Sequence, residues 1–130
     1  MVMNNEANSK VCQCATAPKL IFACSGAADV GEISDRAARR LTKEGKGKMY
    51  CLAGVGGRVP DILTNVRAAQ TILAIDGCAT ECAKNTLLQA GFSRFEHLQL
   101  KALGLEKGQS PPTHENIQLA VNKAAEMLGT

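Results

Sequence analysis

A chain of 130 residues, 45% of them hydrophobic, is long enough for one packed core and too apolar to stay disordered. The net charge of +3 is small, Arg39–Arg40 and Lys43–Lys48 form the only basic cluster, and one tyrosine with three phenylalanines makes up the aromatic set, so the footprint of a nucleic-acid binder is missing. No apolar run reaches the roughly 18 residues of a membrane span, and the start MVMNNEANSK has no apolar signal core, so the expected setting is a reducing cytosol away from the membrane.

Residues 1–18 are polar and aperiodic, and are expected to form a flexible arm that carries Cys12 and Cys14 and ends at Pro18. The α/β domain is expected to fill residues 19–130. Leu20-Ile21-Phe22-Ala23-Cys24 is a short apolar run and predicts a buried strand. Ser25 to Ala28 turn the chain, and Asp29 followed by Glu32 resembles a capping box. Val30, Ile33, Ala37 and Leu41 then mark the apolar face of a helix that Gly45 ends.

Lys48 to Ala53 predicts the second strand, and Gly54-Val55-Gly56-Gly57 a glycine-rich turn. Pro60 suits a first helical position, and Ile62, Leu63, Val66 and Ala69 give the next helix its apolar face. Thr71-Ile72-Leu73-Ala74-Ile75 is the third strand, with Asp76-Gly77-Cys78 as its turn and a helix over about 79–90. Phe95 to Leu100 predicts a fourth strand. Ser110 to Thr113 form a turn and cap, and Ile117, Ala120, Val121, Ala124 and Leu128 make the last helix amphipathic.

The alternation β-α-β-α-β-α-β-α implies an α/β fold: a single three-layer domain with a mainly parallel four-stranded sheet. Right-handed crossovers permit the doubly wound order 2-1-3-4, of the Rossmann or flavodoxin kind, whose ligands bind beyond the carboxyl ends of the strands.

Cys24, Cys51 and Cys78 recur every 27 residues, about the length of one strand, one helix and their loops. They therefore fall at equivalent points of three successive βα units, at one sheet edge, and Cys82 follows Cys78 one helical turn later. Adjacent strands lie about 4.8 Å apart. Sulfurs around a tetrahedral zinc lie about 3.7 Å apart, so cysteines that end neighbouring strands can share a metal. A single buried cysteine is more often a small hydrophobe. Four at convergent positions favour a shared metal or reactive-thiol site, and the expected metal ligands are Cys24, Cys51, Cys78 and Cys82. Soft thiolates suit zinc, Cu(I) or an iron–sulfur cluster, with zinc the default because no cluster motif is visible.

Cys24-Ser25-Gly26, Cys51-Leu52-Ala53-Gly54 and Asp76-Gly77-Cys78 with Cys82 together resemble the DGC-domain family, small proteins named for the central Asp-Gly-Cys. The resemblance runs over residues 19–108, with the motifs in the family's order. It implies zinc held by these four cysteines and supplies no reaction. The expected function is thus zinc binding at a four-cysteine site. The alternative is a redox or sulfur-transfer enzyme with Cys78 as nucleophile and Cys24 or Cys82 resolving the intermediate.

Three further features have competing readings. Cys51 to Arg58 resembles the Cys-x5-Arg phosphate loop of cysteine phosphatases but is one residue too long. A weaker version keeps Gly54, Gly56 and Gly57 as backbone anion donors. Asp76 is expected either to bond a backbone N–H of its own turn or to stand behind the cysteines. Glu81 reads as a first-turn helix acid, and His97 and His114 are expected far from the cysteine turns and without a role.

Overall fold

The computed structural model describes residues 17–129. The arm expected over 1–18, with Cys12 and Cys14, lies almost wholly outside them. In chain order the elements are β1 (Lys19–Ala23), α1 (Asp29–Lys43), β2 (Lys48–Met49), α2 (Leu52–Gly56) and α3 (Pro60–Arg67). They continue with β3 (Thr71–Asp76), α4 (Cys82–Gln89), β4 (Glu96–Gln99), a 3-10 turn at Leu100–Leu103, and α5 (His114–Leu128).

All strand pairs are parallel and the order is β2-β1-β3-β4, so the expected three-layer α/β architecture is the observed one. The registers Ile21↔Met49, Ile21↔Leu73 and Ile75↔Leu98 place the ends of all four strands along a common edge. Strand alternation divides the core in two. Ile21, Ala23, Leu73, Ile75 and Leu98 face α1 and α5, where Ile33, Ala37, Leu41, Ile117, Ala120, Val121, Ala124 and Leu128 meet them. Leu20, Phe22, Ile72 and Ala74 face the other way, onto Val55 of α2, Val66 of α3, and Ala83 and Leu87 of α4. Ile21, Phe22, Leu73 and Ile75 are fully buried, and each contributes about 1.5–3 kcal/mol of hydrophobic stabilisation. No helix among the described residues is long and apolar enough to cross a membrane.

Local differences from the sequence reading have clear causes. The N-cap of α1 is Ala28, with no side-chain cap, so Asp29 is the first helical residue and there is no capping box. Its carboxylate accepts from the N–H groups of Val30 (2.7 Å), Gly108 (2.9 Å) and Ser110 (3.1 Å), and so pins a loop distant in sequence. Those bonds, Gly108 foremost, hold the Asp29 carboxyl below the ordinary range. At the other end of the chain Thr113 caps α5 as expected, its hydroxyl accepting from Asn116 N–H at 3.2 Å. The helix after β3 begins three residues later than expected, at Cys82, because Glu81 adopts the left-handed conformation (φ 54°).

Candidate metal and thiol site

Cys24 directly follows β1, and its N–H still donates to Ile75 O at 3.1 Å, which extends the β1–β3 ladder by one rung. Its Sγ accepts from Gly77 N–H at 3.2 Å, and its thiol donates to Ser34 Oγ at 3.6 Å. Ser34 is fully buried and passes its own proton to Val30 O at 3.0 Å. Burial pushes the Cys24 thiol up, while the Ser34 and Gly77 bonds pull the other way.

Cys51 follows β2, whose end is fixed by Tyr50 N–H donating to Ile21 O at 2.9 Å. Cys51 is the N-cap of α2, and its Sγ accepts from Gly54 N–H at 3.2 Å. The expected glycine turn is therefore a short helix, and this overturns the phosphate-loop reading. Gly54 N–H serves the Cys51 cap, and Gly57 N–H donates to Ala53 O. Gly54 is small for a packing reason: a Cβ there would lie 2.8 Å from Ile62 Cγ1 of α3. The Arg58 guanidinium does not face an anion site. It donates to Val55 O (3.0 Å), Gly56 O (3.1 Å) and Gln89 O (2.8 Å), and so ties α2 to the end of α4.

Cys78 lies in the turn after β3, half-buried against the core cluster that faces α1 and α5. It does not sit at a helix start; the first residue of α4 is Cys82, which is exposed. The Cys78 thiol is nevertheless held below its ordinary range, by the backbone N–H and then the hydroxyl of Thr80, with a smaller pull from Lys107. Gln99 Nε2 donates to Cys78 O at 3.0 Å and steadies the turn from β4. Cys24 and Cys78 are close enough to feel each other's charge.

Each residue of the Asp-Gly-Cys motif has a physical task. Asp76 is 1% exposed, and its carboxylate spans the layer beneath the turn. It accepts from the N–H groups of Ala83 (2.8 Å) and Lys84 (3.0 Å), and pairs with His97 Nε2 at 2.8 Å. It thus caps α4 from the preceding strand, in place of Glu81, whose left-handed backbone and missing side-chain cap bond disqualify it. Glu81 instead pairs with Lys84 at 3.6 Å. His97, expected to have no role, sits beside Asp76 because Ala74 and His97 are register partners and residues two apart share a face. The polar alternation His97-Leu98-Gln99 was the available signal, and it became readable once β3 and β4 were known to be neighbours. Gly77 is the third contact of the edge. A Cβ on it would lie 2.7 Å from both Cβ and Cγ2 of Val30, at the start of α1. Gly77→Ala is expected to cost about 1–3 kcal/mol by overpacking, read as a lower urea midpoint. An unchanged midpoint would show that the turn gives way freely.

The structure brings Cys24, Cys51, Cys78 and Cys82 to one edge, all as free thiols. Among the described residues no three or more His, Cys, Asp or Glu side chains are gathered closely enough to hold a metal ion. The donor type does suit a soft cation: cysteine sulfurs stand at this edge, and backbone N–H groups donate to those of Cys24 and Cys51. His114, by contrast, opens α5 and takes no part.

A three-layer α/β sheet with cysteines after its first three strands and an acid-anchored Asp-Gly-Cys turn defines a class of small cysteine-edge proteins. The chain belongs to the DGC-domain family, whose model matches residues 20–124. It is also similar to the anaerobic and virulence modulator AnvM of Pseudomonas aeruginosa strain PAO1, with 39% identity over 88 residues, which are 68% of this chain and 67% of that protein. No solved structure matches the chain.

Proposed function

We propose that the protein binds one zinc ion through Cys24, Cys51, Cys78 and Cys82. The observation that carries this reading is the pair of N–H···S bonds at one sheet edge, Gly77 to Cys24 and Gly54 to Cys51, both at 3.2 Å. They hold these two sulfurs in fixed positions at the edge, as a ligand set needs, and ligation would release the thiol protons. Zinc when bound would supply a Lewis acid and a permanent charge. The protein's own part is to hold the four sulfurs: Cys24 from β1, Cys51 from the α2 cap, Cys78 from the Asp76-anchored turn and Cys82 from the head of α4.

The two core clusters are complete without a metal, so the ion is not needed as a staple. This favours metal handling or sensing. The modulator in the name of the P. aeruginosa relative agrees with a regulatory role. A second reading uses the same thiols for exchange, with Cys78 as attacking group and Cys24 or Cys82 resolving a mixed disulfide. Its support is that Cys24 and Cys78 end adjacent strands, one half-buried beside Ser34 and the other bonded to Thr80.

The full chain, purified from zinc-supplied reducing cells, is expected to carry one zinc, with four thiols shielded from a thiol reagent until a chelator is added. Metal-free protein with one rapidly reacting thiol would overturn the zinc reading in favour of exchange.

A further inference from the structure

The opposite end of the sheet carries an open cleft. α3 ends, β3 begins, and the loop from α4 into β4 closes the wall of an open cleft of about 720 Å3. A strand of six residues spans roughly 20 Å, so this cleft is a full strand length away from the cysteines. Its volume lies in the range of small-molecule sites, ~300–1,000 Å3.

The lining is mostly polar and combines two phenylalanines with two arginines. Phe92 and Phe95 are half-buried, and they pack against the cluster of Val66, Ile72 and Leu87, which fixes their rings. Arg67 comes from the last turn of α3, and Arg94 from the loop before β4. Both are exposed, and neither has a hydrogen bond or ion pair among the described residues. This distinguishes them from Arg36, Arg39 and Arg40, which pair with Glu32, Asp35 and Glu44. The one acid of the lining, Glu96, forms no ion pair with either arginine, so the cleft keeps a net positive charge. Two unengaged guanidinium forks suit a carboxylate or phosphate, and phenyl rings in the same lining suit a flat apolar body.

We infer that this cleft binds a small aromatic organic anion, with its ring against Phe92 and Phe95 and its charged group on Arg67 and Arg94. The site is independent of the cysteine edge and of any metal there.

The test is a titration of isotope-labelled full-length protein, followed by amide NMR, with 1-naphthoate as probe. Neutral 1-naphthalenemethanol and ring-free acetate serve as comparisons. Naphthoate is expected to shift the amide signals of residues 70–72 and 91–96 in a saturable way, with at least tenfold weaker binding by the alcohol and by acetate. Arg67→Gln and Arg94→Gln should each weaken naphthoate binding about tenfold. Both residues are surface side chains without partners, so the spectra away from the cleft should stay unchanged and report an intact fold. Equal binding of the alcohol, unchanged affinity in both arginine variants, or no saturable shift at millimolar naphthoate would overturn the inference. The same result is expected with zinc-loaded and metal-free protein, which separates this test from the zinc reading.

Discussion

Asp76→Ala is expected to cost about 3–5 kcal/mol of stability, the largest loss from any single side chain at the cysteine edge. The carboxylate is buried and holds three partners: two N–H groups that open α4 and the ring of His97. Alanine leaves the Ala83 N–H orphaned in a buried position, and each such orphan costs about 1–3 kcal/mol. Relief from burying a charge offsets part of this, which is why the total stays below the sum of three charged hydrogen bonds. Domains of this size are stable by about 5–15 kcal/mol, so the variant should be marginal at 37 °C. Asp76→Asn keeps one carbonyl acceptor and should fall between alanine and wild type. The urea midpoint with an unchanged slope is the measurement. A loss under about 1 kcal/mol for alanine would mean that α4 is capped by other means.

Cys78→Ser is expected to lower zinc affinity about a hundredfold and to leave the metal-free domain folded. Four-thiolate sites bind zinc with about 10–16 kcal/mol, so one ligand of four is worth roughly 3 kcal/mol, and a serine hydroxyl is a poor substitute for a soft thiolate. Cys78 only flanks the core cluster between the sheet and α1, and serine is nearly isosteric with it. The metal-free stability should therefore change by less than about 1 kcal/mol. Cys24→Ser should affect stability more, because Cys24 packs beside the core on the other face and its thiol is bonded to buried Ser34. Competition with a chromophoric chelator gives the affinity, and urea unfolding gives the stability. Unchanged zinc affinity would remove Cys78 from the ligand set. Unfolding of the metal-free variant would show that the site is structural, and the sensing or handling role should then be dropped.

The sheet was legible because its strands announce themselves one at a time. Leu20–Ala23 and Ile72–Ile75 are apolar runs buried on both faces, as central parallel strands require. The 27-residue cysteine interval translated directly into one edge because parallel βα units repeat with a fixed polarity. Pro60 and Thr113 marked helix starts through local chemistry alone, and both hold.

What the sequence could not decide were choices between two satisfied local states. Gly54-Val55-Gly56-Gly57 reads as a loop by composition and folds as a helix, because Cys51 caps it and Ile62 presses against Gly54. Asp29 has the spacing of a cap, yet its carboxylate is turned toward Gly108 and Ser110, 79 and 81 residues away. The α4 start moved from 79 to 82 because Asp76, reaching from β3, takes the N–H groups of Ala83 and Lys84 and leaves Glu81 outside the helix.

The same division governs the site. Local pattern and spacing sufficed to read an α/β domain with Cys24, Cys51, Cys78 and Cys82 along one edge, because side-chain period and the repeat of βα units are short-range features, and right-handed crossovers permitted the order 2-1-3-4 that the sheet adopts. The packing of the layers settled that His97 and Gln99 stand behind the Asp-Gly-Cys turn, that Arg58 is occupied by carbonyls, and that Arg67 and Arg94 share a cleft at the far end. Apart from the Arg58 bonds to neighbouring Val55 and Gly56, those pairings join residues 21 or more positions apart. Which partner a polar side chain finds at such range follows from how the layers pack, and no local pattern encodes it.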